Sequence, residues 1–173
     1  MTKAERVSPI TLVGFLFVLA FGVSIARAQA DEIRQFRDWQ LVTSGPECRL
    51  VSLVTSKATG SILMEVSILP GPERSMPYLI AIRVPIGASL ASGIALRHAS
   101  QDRTAIGLDW LSCDQEMCTA GGRLSTQAIA NLRRDRSVFV GFRPMPGARP
   151  VNIELSLMGF TAATDALNRC VEA

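Results

Sequence analysis

The chain has 173 residues, 48% of them hydrophobic and 19% charged, with four cysteines, one histidine and a formal net charge of +3. Lys3, Arg6 and Arg27 against Glu5 account for +2 of that charge, so residues 31–173 carry only +1. That excludes the strong positive field on which nucleic-acid binding draws.

Ile10 to Ile25 is an almost unbroken apolar run behind a short basic start. It ends in Ala26-Arg27-Ala28-Gln29-Ala30, two overlapping small-x-small cleavage signals. This order predicts a signal peptide over residues 1–30, cut after Ala30 or, as the second site, after Ala28. The run is short for a membrane span, which needs about 20 apolar residues. Retention of an uncleaved leader as an anchor is the minor alternative. No cysteine stands at the cleavage site to take a lipid. Residues 31–173 are then one domain, periplasmic or in the outer envelope or secreted, and not integral to a membrane after cleavage.

Alternation of apolar and polar residues, the period of a half-buried strand, dominates that domain. It predicts strands at Asp38–Thr43, Arg49–Thr55, Ser61–Leu69, Tyr78–Val84, Ile94–His98, Thr104–Leu111 and Cys118–Leu124. Two more follow, around Val138, Val140 and Phe142 and over Val151–Met158. Turn residues such as Ser44-Gly45-Pro46-Glu47, Pro70-Gly71-Pro72 and Pro144-Met145-Pro146-Gly147 separate the runs. Nine short strands at this spacing predict a mostly β fold, a β-sandwich, with a closed β-barrel as the alternative. Two short helices interrupt them. Ser125 caps the first, whose Ile129 and Leu132 share a face and which ends near Arg133 and Arg134. Thr161–Asn168 forms the second, close to Cys170.

Cys48, Cys113, Cys118 and Cys170 all lie beyond the leader, and an even count in an exported domain reads as disulfides. Cys113 and Cys118 flank a polar turn and form the first expected bridge. Cys48 with Cys170 follows by elimination, provided their Cα atoms come within about 7 Å.

Most catalytic plans fail on residue supply. His98 is the only base available to a serine or cysteine nucleophile, and no Gly-x-Ser-x-Gly elbow occurs. It reads as an exposed or hydrogen-bonded histidine near a strand end. No second ligand cluster accompanies Cys113 and Cys118, so neither a metal nor any other cofactor is expected. The four-residue spacing of that pair, in a β context, is not that of a thioredoxin-like redox site. Gly121-Gly122 lacks the spacing of a phosphate cradle. Asp109, Asp114 and Glu116 offer acidic pairs that a glycoside hydrolase would need at a set separation; an acidic turn in solvent is the plainer reading. Trp39 and Trp110 are in phase with apolar neighbours and are assigned to the core or its edge. Arg133, Arg134 and Arg136, with Arg143 and Arg149, are the candidate interaction residues for an anionic partner.

Several segments line up in a known order. Phe36-Arg37-Asp38-Trp39-Gln40-Leu41-Val42 precedes Cys48-Arg49-Leu50-Val51. Then come Arg83-Val84-Pro85-Ile86-Gly87, Gly93-Ile94-Ala95-Leu96, the Cys113 and Cys118 pair, and Leu155-Ser156-Leu157-Met158-Gly159-Phe160. This arrangement, from Phe36 to Leu167, resembles the invasion-associated locus B family of exported bacterial proteins. The resemblance implies an immunoglobulin-like β-sandwich with no established catalytic centre, in the envelope of a Gram-negative bacterium. It also implies a family named for a part in host-cell invasion. Its pattern places a cysteine four residues after the tryptophan, where this chain has Thr43. A local N-terminal bridge is thereby replaced by one reaching Cys170.

Together these readings lead to a non-enzymatic envelope protein that binds an envelope or host protein through strand edges or arginine-bearing loops. The competing readings are a periplasmic hydrolase built on the acidic residues and a factor assisting envelope assembly.

Overall fold

In the computed structural model, residues 31–98 and 105–172 are described. The leader assigned to residues 1–30 lies outside them, as does Thr104, the expected start of the strand that contains Trp110. Ten strands run in chain order: β1 Glu32–Phe36, β2 Trp39–Ser44, β3 Glu47–Thr55, β4 Ile62–Pro70, β5 Tyr78–Pro85, β6 Ile94–His98, β7 Ile106–Cys113, β8 Met117–Leu124, β9 Ser137–Phe142 and β10 Val151–Ser156. Helix α1, Thr126–Leu132, lies between β8 and β9, and α2, Phe160–Val171, follows β10.

All ten strands form one antiparallel sheet in the order β1-β2-β3-β4-β5-β8-β7-β6-β9-β10. The mostly β expectation with two helices holds, and the layers are joined through β7 into a curled half-barrel. The closed-barrel alternative is not supported. β1 and β10 end the ladder, and neither has a second strand partner among the described residues.

Alternation explains the curl. Met64, Val66 and Ile68 of β4 and Ile80, Ile82 and Val84 of β5 point to the concave side and are buried. There they share one core with Val138 and Val140 of β9 and Leu155 of β10, strands from the far end of the ladder. Burying both ends in one core draws the sheet around itself, since the hydrophobic gain scales with area removed from water.

The helices seal that core. Ser125 caps α1 by accepting the Ala128 N–H at 3.1 Å, and Ile129 and Leu132 are buried beneath it. Helix α2 buries Phe160, Ala163, Thr164, Ala166 and Leu167 and packs on β1 to β4. Gly159 starts it at φ +90°, and a Cβ there would lie 2.0 Å from the Phe36 carbonyl oxygen. Only glycine fits such an approach.

β1 has no counterpart among the sequence-predicted strands. Ile33 and Phe36 are its only large apolar residues and fall on opposite faces, so no alternating row exists to read.

Candidate functional site

The ends of the ladder meet at one corner. Trp39, only 1% exposed, donates its Nε1–H to the Ser156 carbonyl at 3.0 Å. The Asp38 N–H reaches the Met158 carbonyl at 3.2 Å, and the Ser156 hydroxyl donates to the Asp38 carboxylate at 2.5 Å. Ser52, buried on β3, donates its hydroxyl to the Asp38 carbonyl at 2.8 Å. The β1–β2 turn is thus pinned to both β3 and β10.

Beyond this corner the sheet does not close. The β2–β3 pairing stops at Gln40 opposite Val51, whereas β3 runs on to Thr55. Leu53, Val54 and Thr55 pair with β4 on one side and have no ladder partner on the other among the described residues. β10 pairs with β9 alone. A cleft of about 370 Å³ separates the two free edges, lined by Leu53, Val54 and Thr55 on one side and Glu154 and Ser156 on the other. Gln35, Asp38 and Gln40 line its corner end. Backbone N–H and C=O groups along an unpaired edge are strong, unsatisfied hydrogen-bonding groups.

The four cysteines form two pairs. Cys113 and Cys118, neighbours across the β7–β8 turn, have Cα atoms 4.0 Å apart. Cys48 of β3 and Cys170 of α2 are bonded across 122 residues, with Cα atoms 6.3 Å apart. Thr43 faces Cys48 in the β2–β3 register, and its Oγ1 lies 3.7 Å from the Cys170 sulfur. The position where the family pattern has a cysteine is therefore a cross-strand neighbour of Cys48, and α2 brings Cys170 to the same spot. A wider groove of about 990 Å³, bounded by Leu69, Leu79 and Val171, runs beside this bridge.

The acidic residues lie on the β7–β8 hairpin. Asp114 accepts the Glu116 and Met117 N–H groups at 2.8 and 2.7 Å and meets Arg83 Nη2 at 3.1 Å. The Met117 and Glu116 N–H groups hold its carboxyl below the usual carboxylate range; desolvation opposes them, and the Arg83 guanidinium adds a lesser lowering. Asp109 sits opposite Gly121, inside the β7–β8 ladder, and Glu116 is exposed in the turn. None of the three lines either cleft.

The arginines divide. Arg133 binds Asp165 of α2 at 2.8 Å, tying α1 to α2, whereas Arg134 and Arg136 are exposed. His98 is buried, its Nδ1 2.6 Å from an Asp135 carboxylate oxygen. Gly121 and Gly122 lie within β8, where a Cβ would meet Leu111 and Leu108 side-chain atoms at 2.7 Å each. They are packing positions.

Comparison with known proteins fits this architecture. Residues 38–168 match the model of the "Invasion associated locus B (IalB) protein" family. The chain belongs to the IalB family. The crystal structure of invasion associated protein B from Bartonella henselae is similar, with a TM-score of 0.73. The likeness covers 82% of this chain and 99% of that one at 15% identity, and so shows a shared fold. No curated protein matches. The matched IalB region begins at Asp38, in the turn that pins the open corner, and ends on α2, which carries the bridge to β3.

The seam was missed by reading one strand at a time. Its signal was the overhang of Arg49–Thr55 past the short Asp38–Thr43 run, legible only once the hairpin register is known.

Proposed function

We propose that this IalB-family protein is an exported, non-enzymatic binding protein of the Gram-negative cell envelope, acting at the open seam of its half-barrel. The observation that carries the reading is the pair of unpaired strand edges, β3 at Leu53–Thr55 and β10, across one cleft. Edges of this kind recruit extended segments of other chains by backbone pairing. Paired cysteines support an oxidising compartment. Among the described residues no helix is long and apolar enough to cross a membrane. A part in host-cell entry is the finer reading that the family name adds. Its ground is the name alone, since fold and family do not fix function.

In-cell cross-linking of the envelope followed by mass spectrometry tests the binding role. The expected result is a reproducible protein partner. No partner contradicts it, and turnover of an envelope glycan by the purified protein would favour the hydrolase reading instead. A deletion strain that enters host cells as the parent does contradicts the entry role alone.

A further inference from the structure

We infer that the seam accepts an extended, positively charged peptide segment of a partner protein, inserted as an extra strand between β3 and β10. This deepens the binding role proposed above and rests on it.

Three observations define the occupant. First, both walls are backbone edges. Leu53–Thr55 has lost its β2 partner, and β10 has only β9. A strand between them alternates its N–H and C=O groups toward each wall, so one set of its residues pairs with β3 and the other with β10. Second, the cleft, at about 370 Å³, has room for a short stretch of extended chain and is too small for a folded element. Third, its charge is one-sided. Asp38 and Glu154 line it, and no arginine or lysine does. The Asp38 carboxylate accepts one hydroxyl, that of Ser156, and Glu154 is in no ion pair among the described residues. A lysine or arginine side chain on the inserted segment meets both carboxylates. Leu53, at 52% exposure, offers an apolar neighbour for the side chain beside it.

The corner explains why the slot stays open. The Trp39–Ser156 and Asp38–Met158 hydrogen bonds fix where β10 leaves the β1–β2 turn. With that end anchored, β10 cannot slide against β3 and close the ladder itself.

The probe is a random library of linear peptides about nine residues long, the length of an ordinary strand, selected against the disulfide-bonded protein. Enriched peptides are expected to carry lysine or arginine at one fixed position. The bound peptide should slow amide exchange at Leu53–Thr55 and Val151–Ser156 together. Glu154→Gln should weaken binding by roughly threefold, in keeping with an exposed ion pair. Two N-methylated versions of the peptide, blocked on odd or on even residues, complete the test. Both should fail to bind, because the slot uses both sets of amides.

Binding retained by one methylated version means pairing to a single edge and overturns insertion. Enrichment of acidic peptides, or protection confined to other strands, overturns it as well. If no peptide is enriched while cross-linking still returns a reproducible partner, insertion fails and the binding role stands. If neither returns a partner, both fail.

Discussion

The β7–β8 turn and the seam between β3 and β10 treat their polar groups in opposite ways. In the turn, Asp114 spends its carboxylate on two backbone N–H groups and Arg83, and the Cys113–Cys118 bridge closes a loop that the ladder already holds. At the seam, Asp38 and Glu154 face a cleft, and backbone edges remain unpaired on both sides. The difference separates structure from function more sharply than residue type does. Asp114 in the turn is tied up in holding shape, whereas at the seam Asp38 takes a single hydroxyl and Glu154 is in no ion pair among the described residues.

The bridges make the same contrast in covalent form. Removing Cys48–Cys170 by a double alanine replacement should cost about 4–5 kcal/mol in the chain-entropy model, against ~2 kcal/mol for Cys113–Cys118. Denaturant unfolding of the two variants checks this, and equal losses would break the comparison. Gly159→Ala should cost about 3 kcal/mol, because its Cβ meets the Phe36 carbonyl at a backbone position closed to other residues; thermal melting reads the loss. Thr43→Cys in a Cys170→Ala background should form a local cross-strand bridge to Cys48 and recover about 2 kcal/mol of the stability lost. Non-reducing peptide mapping identifies the bridge, and the same denaturation reads the recovery. Trp39→Phe deletes the hydrogen bond to Ser156, for about 1 kcal/mol and faster amide exchange along β10.

The smallest effect concerns pH. Asp114 has a lowered pKa in the folded protein, so its contribution to stability is complete above the unfolded value and fades as pH falls through the folded one. Asp114→Asn should remove that acid-side dependence while leaving the neutral-to-alkaline profile parallel to the parent, as read from denaturation midpoints across pH.

Much of this fold could be read in the chain, because strands with one buried face announce themselves by alternation. The row Val151, Ile153, Leu155 and the Ser125 cap are purely local signals, and both elements stand where those signals put them. β1 was illegible because its stability comes from pairing with β2, without an apolar row of its own. The seam was illegible for a different reason. It is made by an absence of pairing, which depends on where β2 stops relative to β3 and on how far the sheet curls. The Arg133–Asp165 pair is invisible to a local charge pattern, because the two residues are 32 apart in the chain and meet only when α2 packs beside the end of α1.

Position-specific photo-cross-linking in cells tests the central claim most directly. A photoreactive residue at Leu53 or Thr55 reports on the seam. The same residue at Leu111, exposed on β7, or at Arg134 reports on the structural side and on the exposed arginines. The seam positions should yield a discrete adduct and the others none. Adducts from Leu111 or Arg134, with none from Leu53 and Thr55, would contradict the account.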